Sequence, residues 1–339
     1  MNVANLRAGL IGLGMMGRNH ARVLASLDGV KFVGIADEAG GLPGAAPRDV
    51  PVVATIDELL GLGLGLDYAV VAIPTQFHLD AGLRLAEAGV HALVEKPLTT
   101  DVASSRRIAD AFRDAGLIGA VGHIERYNPA LQQARTRIAN GDLGEIYQIT
   151  TRRQGPFPGR IADVGVILDL ATHDIDLTAW VAQQPFATVS ARTAHRSGRP
   201  HEDLVSITGQ LEDGIVTNHL VNWLSPMKER VTVITGETGA LVADTLSADL
   251  TLYENGVVPT EWSEVARFRG VTEGNVIRFA YPKPEPLRLE HEAFRDAVWG
   301  KDTDIVTMRQ AAATVAVANA VAESAATGRV VALEQGESR

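Results

Sequence analysis

The sequence predicts a two-domain α/β protein: an N-terminal parallel sheet wound on both faces by helices, then an α/β domain with an open, mainly antiparallel sheet. Three observations predict it. The first 125 residues alternate short apolar runs with helical patterns, as a parallel sheet covered by crossover helices requires. After Gly122 the pattern changes to strand-like runs joined by short turns. The chain of 339 residues also exceeds what one hydrophobic core usually serves. The expected division is 1–125 and 126–335.

Arg7–Leu13 reads as a buried strand, followed by a helix over Met15–Leu27 and a second strand over Lys31–Asp37. Gly40–Pro51, rich in Gly, Ala and Pro, is a loop before a short strand at Val52–Ala54. Thr55 and Glu58 have the spacing of a capping box that opens a helix. Tyr68–Ile73 and His91–Glu95 are further strands, separated by a helix over Phe77–Ala88. A helix over Asp101–Ala115 and a strand over Leu117–Val121 complete the first domain. Asn128–Ala139 is a linking helix, and Glu145–Arg153 starts a strand. From Phe186 to about Tyr253 several strands follow, with turns at Glu212–Gly214 and Gly236–Gly239. Helices over Leu287–Val298 and Thr307–Ala326 close the chain, the second ended by Gly328.

Composition narrows the function classes. There is no cysteine, which removes disulfides, zinc-thiolate sites and thiol nucleophiles together. The nine histidines are scattered without metal-ligand spacing, so no metal is expected. A net charge of −10 with no basic run disfavours nucleic acid as a partner. No apolar run approaches the roughly 18 to 20 residues that cross a bilayer. Met1–Ala8 lacks the order of a signal peptide, which makes a cytoplasmic protein the expectation. Only five of the 31 basic residues are lysines, so a well-placed lysine stands out.

Gly12-Leu13-Gly14-Met15-Met16-Gly17 is a G-x-G-x-x-G between a predicted strand and a predicted helix. In such a turn the first glycine permits the tight bend and the second lets the backbone approach a pyrophosphate. The third lets helix and strand pack closely, and the helix N-terminus faces the phosphate charge. Alone the motif is weak. Asp37 lies 20 residues past Gly17 at the end of the second strand, where a ribose-binding carboxylate belongs. These features together predict a Rossmann domain that holds a dinucleotide. Asp37 and Glu38 repel the 2′-phosphate of NADP and no arginine follows them, so NAD is the expected cofactor.

Three further segments resist explanation as packing alone. Ile73-Pro74-Thr75-Gln76-Phe77-His78 follows the fourth strand and Glu95-Lys96-Pro97 the fifth. Ligands of open parallel sheets bind beyond the carboxyl ends of the strands, so both loops are expected to border the nicotinamide. A lysine at the end of a buried strand needs a partner or a ligand; Lys96 could pair with Glu95 or cap a helix instead. The third segment is Asp169-Leu170-Ala171-Thr172-His173-Asp174-Ile175-Asp176. On a helix Asp169, His173 and Asp176 share one stripe, where carboxylates would tune the histidine for proton transfer. From the residues alone, a structural histidine explains the segment equally well.

The combination resembles the Gfo/Idh/MocA oxidoreductases, which include glucose–fructose oxidoreductase and inositol 2-dehydrogenase. The resemblance covers essentially the whole chain. It rests on Gly9–His20, the Pro74–His78 loop, Glu95-Lys96-Pro97 and the Asp169–His173 spacing. It implies a Rossmann domain followed by a substrate-binding and oligomerisation domain, in a homodimer or homotetramer. It also implies that Lys96 and His173 act catalytically on the reacting hydroxyl while Asp169 helps to position it. Cofactor contacts are expected from Gly12, Gly14, Met15, Met16, Gly17, Asp37, Ile73, Pro74, Thr75, His78, Glu95 and Lys96. Arg126, Tyr127, Asn128, Arg160, Asp169 and His173 are expected to meet the substrate. Arg152, Arg153 and Arg160 flank a Gly/Pro-rich loop and could meet a diphosphate; a solvated rim explains them equally well. Within the family, Gly122–Pro129 and Arg160–His173 look most like UDP-N-acetylglucosamine 3-dehydrogenases. Gln76 departs from the asparagine or leucine of many relatives. The implied reaction is NAD-dependent hydride transfer at a secondary hydroxyl of a sugar, with C3 of a UDP-N-acetylhexosamine favoured. Alternatives are an inositol or other polyol dehydrogenase, a 3-keto sugar reductase, an NAD-dependent glycosidase, or a non-catalytic NAD-binding regulator.

Overall fold

The computed structural model describes residues 5–40, 47–159, 164–256 and 272–333. The chain divides into two compact units, Met1–Ile124 with Glu285–Ala316, and Glu125–Pro284 with Val317–Arg339.

In the first unit six strands pair in parallel: β1 (Leu6–Ile11), β2 (Val30–Ala36), β3 (Val52–Val53), β4 (Tyr68–Val71), β5 (His91–Glu95) and β6 (Gly119–Gly122). Their order is β3-β2-β1-β4-β5-β6, so the winding reverses between β1 and β4. That reversal opens a crevice at the carboxyl ends, where such sheets bind ligands. Residues of β4 alternate between two cores: Tyr68 and Val70 face one, Ala69 and Val71 the other. A strand buried on both faces must be apolar throughout, and all four of its residues are 0% exposed.

Four helices connect the strands: α1 (Met15–Leu24), α2 (Ile56–Gly61), α3 (His78–Glu87) and α4 (Val102–Asp114). The expected cap of α2 is present, with the Thr55 hydroxyl accepting the Glu58 N–H at 3.1 Å. Asp101 caps α4 in the same way through the Ser104 N–H. Strand β6 starts at Gly119, two residues later than expected, because the Leu117 N–H still bonds back to the Phe112 carbonyl at the end of α4.

The expected second domain, 126–335, is corrected over Glu285–Ala316, which packs with the first unit. Helix α7 (Pro286–Val298) is the reason. Its Phe294 is 1% exposed and meets Tyr68 edge-on at 5.3 Å, covering a sheet face that would otherwise stay wet.

The second unit holds α5 (Pro129–Ala139), α6 (Thr172–Ala182) and nine strands. The strands are β7 (Ile146–Pro156), β8 (Phe186–Ala194), β9 (Leu204–Leu211), β10 (Val216–Asn222), β11 (Leu224–Gly236), β12 (Gly239–Asp244), β13 (Asp249–Gly256), β14 (Thr272–Arg278) and β15 (Val331–Ala332). Their order is β14-β13-β12-β11-β7-β10-β9-β8-β15. Among the described residues every pairing of these strands is antiparallel except β7 with β10. Strand β9 alternates cleanly: Val205, Ile207 and Leu211 are buried, while Ser206, Thr208 and Gln210 face out. One sheet face is therefore packed, on Leu131, Ile175, Leu177 and Trp180 of α5 and α6 among others. Both expected hairpin turns are present, at Glu212–Gly214 and Gly236–Gly239. Helix α8 (Met308–Thr327) ends at Gly328, whose φ is +73°. No helix among the described residues is long and apolar enough to cross a membrane.

Candidate active site

The glycine loop joins β1 to α1 in the first unit. Gly12 has φ +93°, and a Cβ there would lie 2.4 Å from the Ala72 carbonyl oxygen. A Cβ on Gly17 would sit 2.0 Å from the Gly12 carbonyl oxygen, so strand and helix approach as closely as the motif predicts. Gly14 differs: nothing lies within 4 Å of where its Cβ would be. Its backbone faces open space, as a loop that receives a pyrophosphate must. Helix α1 has no side-chain cap and no acid in its first turn, which leaves its N–H groups to an anion. Met15 is 53% exposed beside it. Asp37 follows β2, and its Oδ2 accepts the Leu13 N–H at 2.6 Å. The residues present fit a dinucleotide with a free ribose diol.

After β4, Ile73 and Pro74 lead into a single tight turn at Thr75–Phe77. His78 then opens α3 with a ring only 1% exposed. Its Nδ1 lies 3.0 Å from the Pro97 carbonyl and 3.2 Å from that of Leu98, and its Nε2 lies 2.9 Å from the Ile73 carbonyl. Burial lowers its pKa, while the carbonyls work to raise it. His78, expected at the cofactor, is a staple between the loops after β4 and β5.

Lys96, half-buried, follows β5. Glu95 Oε1 bonds His20 Nε2 at 2.8 Å, and Glu95 Oε2 accepts the Lys96 backbone N–H at 3.1 Å. Burial pushes the Glu95 pKa up, but the His20 hydrogen bond and the His20 and Lys96 charges outweigh it and hold the carboxyl below its usual range.

In the second unit Asp169 and His173 lie on consecutive helical segments. Ile167–Ala171 forms a π-helical turn that runs into α6, in place of the continuous α-helix expected. Such turns recur at functional sites. Asp169 is 7% exposed and His173 partly exposed. Asp176, expected to tune His173, is 1% exposed and takes Arg126 in a bidentate pair, Nε at 2.8 Å and Nη2 at 2.6 Å.

Arg126, expected to meet the substrate, is 6% exposed. Asn128 is likewise committed: Oδ1 accepts the Ala130 N–H as the cap of α5, and Nδ2 donates to the Thr245 carbonyl, both at 3.0 Å. Tyr127 is 7% exposed. Arg153, expected near a diphosphate, is buried between Asp174 at 2.8 Å and Glu125 at 2.9 Å. Burial works against its charge, but the two carboxylates raise its pKa further. Glu125 is pushed up by burial and held below its usual range by Arg153 and Arg230. Arg152 is exposed and pairs with Glu229 at 2.7 Å. Arg160 lies outside the described residues.

Sequence reasoning missed Glu125, Arg153 and Asp174 as one buried network, because their partners are 21 to 28 positions apart. It also missed His20, whose only signal was its place at the end of the glycine motif. Among the described residues no group of three or more His, Asp or Glu side chains is placed to hold a metal ion.

Comparison with known proteins agrees with this architecture. Residues 6–123 match the family model described as oxidoreductase family, NAD-binding Rossmann fold. Residues 131–242 match the C-terminal domain of the same family. The chain is 32% identical over 176 residues to UDP-N-acetylglucosamine 3-dehydrogenase of Acidithiobacillus ferrooxidans, covering 51% of this chain and 53% of that one. It is 29% identical over 192 residues to scyllo-inositol 2-dehydrogenase (NAD(+)) of Bacillus subtilis, covering 55% and 56%. The chain thus spans about half the length of these relatives. The solved structure of the Acidithiobacillus ferrooxidans enzyme superposes with a TM-score of 0.82 over 95% of this chain and 98% of that one, at 24% identity, a likeness of fold. With both domain models matched in order along the chain, the protein belongs to the Gfo/Idh/MocA oxidoreductase family.

Proposed function

We propose that the protein is an NAD-dependent oxidoreductase acting on a secondary hydroxyl of a sugar, with C3 of a UDP-N-acetylhexosamine the favoured position. The observation that carries this reading is the first unit's glycine loop. Gly14 opens to space, the N-terminus of α1 is uncapped, and Asp37 is tied to Leu13. When bound there, NAD supplies a hydride acceptor or donor.

The chain's own residues do the rest. Gly12, Gly14, Met15, Met16 and Gly17 receive the pyrophosphate, and Asp37 takes the ribose diol. Ile73, Pro74, Thr75, Glu95 and Lys96 line the strand ends. The Lys96 ammonium favours charge developing on the substrate oxygen. His173 removes the hydroxyl proton, which requires its neutral form, and Asp169 on the preceding turn orients it or the substrate. The names of the relatives support a sugar or polyol as substrate. The reading takes the protein as a homodimer or homotetramer, as the family resemblance implies.

The similarity to an inositol dehydrogenase favours a second reading, oxidation of a free polyol. A panel of UDP-sugars, free sugars and inositols, scored by NADH absorbance, separates the two. Turnover of free sugars as efficient as that of their UDP conjugates removes the nucleotide-sugar reading. Absence of NADH with every alcohol tested removes both.

A further inference from the structure

Beneath the end of β5 the first unit buries a single file of hydrogen bonds. Glu95 Oε2 accepts the Lys96 N–H, and Glu95 Oε1 lies 2.8 Å from His20 Nε2. His20 Nδ1 lies 2.8 Å from His291 Nε2. Both imidazoles are 0% exposed. An ionised Glu95 only accepts, so His20 Nε2 donates to it. His20 Nδ1 and His291 Nε2 share the next hydrogen bond, with either ring as its donor according to the charge on His20.

Glu290, one residue from His291, is 1% exposed, and burial and the nearby Glu95 push its pKa well above the usual range. Burial and His20 push the His291 pKa well down. Of these groups it is Glu95, the carboxyl that touches Lys96, that is held below its usual range. Apolar side chains at His20 and His291 would fill a core at lower desolvation cost, so the pair calls for a reason beyond packing.

We propose that His20 and His291 are positioning residues for Lys96: they hold the Glu95 carboxylate against the Lys96 backbone N–H and so fix how the end of β5 presents the lysine. The inference rests on the proposed role of Lys96 in turnover.

The test compares two amides at position 20. Gln places its donor near where His20 Nε2 meets Glu95, whereas Asn reaches only as far as Nδ1. His20→Gln is expected to keep kcat within about threefold of wild type, and His20→Asn to lower it by up to about 10²-fold. NADH binding, followed by fluorescence, should stay alike in the two. His291→Leu, which breaks the file one step further away, should lower kcat less than His20→Asn, and His291→Gln should recover it. Gln and Asn variants with equal kcat overturn the proposal, as does an impaired His291→Leu that His291→Gln fails to rescue. Lys96→Ala is measured alongside. If it keeps wild-type kcat, the role of Lys96 itself is wrong; if it is impaired while the two amides behave alike, only the positioning chain fails.

Discussion

The Asp37 carboxylate accepts the Leu13 backbone N–H at 2.6 Å, so the acid that closes β2 is held to the glycine loop that follows β1. One oxygen is thereby fixed, and the carboxylate's orientation toward a ribose is set before any ligand arrives. Replacing Asp37 by Ala removes the diol acceptor, the repulsion of a 2′-phosphate and this loop contact together. The kcat/KM ratio for NAD over NADP is expected to fall by about tenfold or more, which is ~1.4 kcal/mol of discrimination. Wild type that prefers NADP, or an Asp37→Ala variant with an unchanged ratio, would contradict the assignment.

Gly14 and Gly17 should separate binding from folding. A methyl on Gly14 meets nothing, so Gly14→Ala should change stability by no more than about 0.5 kcal/mol while weakening NAD at least about tenfold. A methyl on Gly17 would collide with the Gly12 carbonyl oxygen 2.0 Å away, so Gly17→Ala should lower the melting temperature as well. Thermal melts with NAD titrations check both. Equal loss of stability in the two variants would show that Gly14 is structural.

Arg126→Ala leaves the Asp176 carboxylate buried without its bidentate partner. Breaking such a pair costs roughly 3–5 kcal/mol. Urea unfolding should register that loss, and exchanging both partners for apolar residues should recover much of it. A variant with normal stability and only a raised KM would return Arg126 to the substrate.

Glu290 contributes a pH dependence of opposite sign to that of Glu95. Its folded pKa lies above the unfolded one, so stability is full below the unfolded value and is lost as pH rises toward the folded value. Gln cannot ionise. Glu290→Gln should therefore show little gain near about pH 4 and a growing one above it, by at most ~1.4 kcal/mol per pH unit for one proton. A gain independent of pH would mean that ionisation is not the cost.

The first unit was legible because much of its signal is short in sequence: the glycine spacing and the Thr55 cap act within a few residues of themselves, and Asp37 stood out by its place at a strand end. The return of α7 to that unit was not, since an amphipathic helix shows that it must cover something without showing what. At the candidate site, Lys96 and the Asp169–His173 segment stood out by residue type. The partners of Arg126 and Arg153 were not legible for one physical reason: a guanidinium advertises an anion, and only the fold shows that Asp176, Asp174 and Glu125 are placed beside them. His20 and His291 are 271 positions apart, so nothing in the linear sequence pairs them.

The central claim is that this chain moves hydride to NAD with Lys96 and His173 acting in the proton-transfer step. The most direct measurement is NADH formation from the best alcohol of the panel by wild type, Lys96→Ala, His173→Ala and the double variant, with NAD affinity determined for each. Each single substitution should lower kcat by roughly 10² to 10⁴ while NAD affinity stays nearly intact. If both residues serve one transition state, the double variant should be less impaired than the product of the single effects. Near-normal turnover by both single variants would contradict the account.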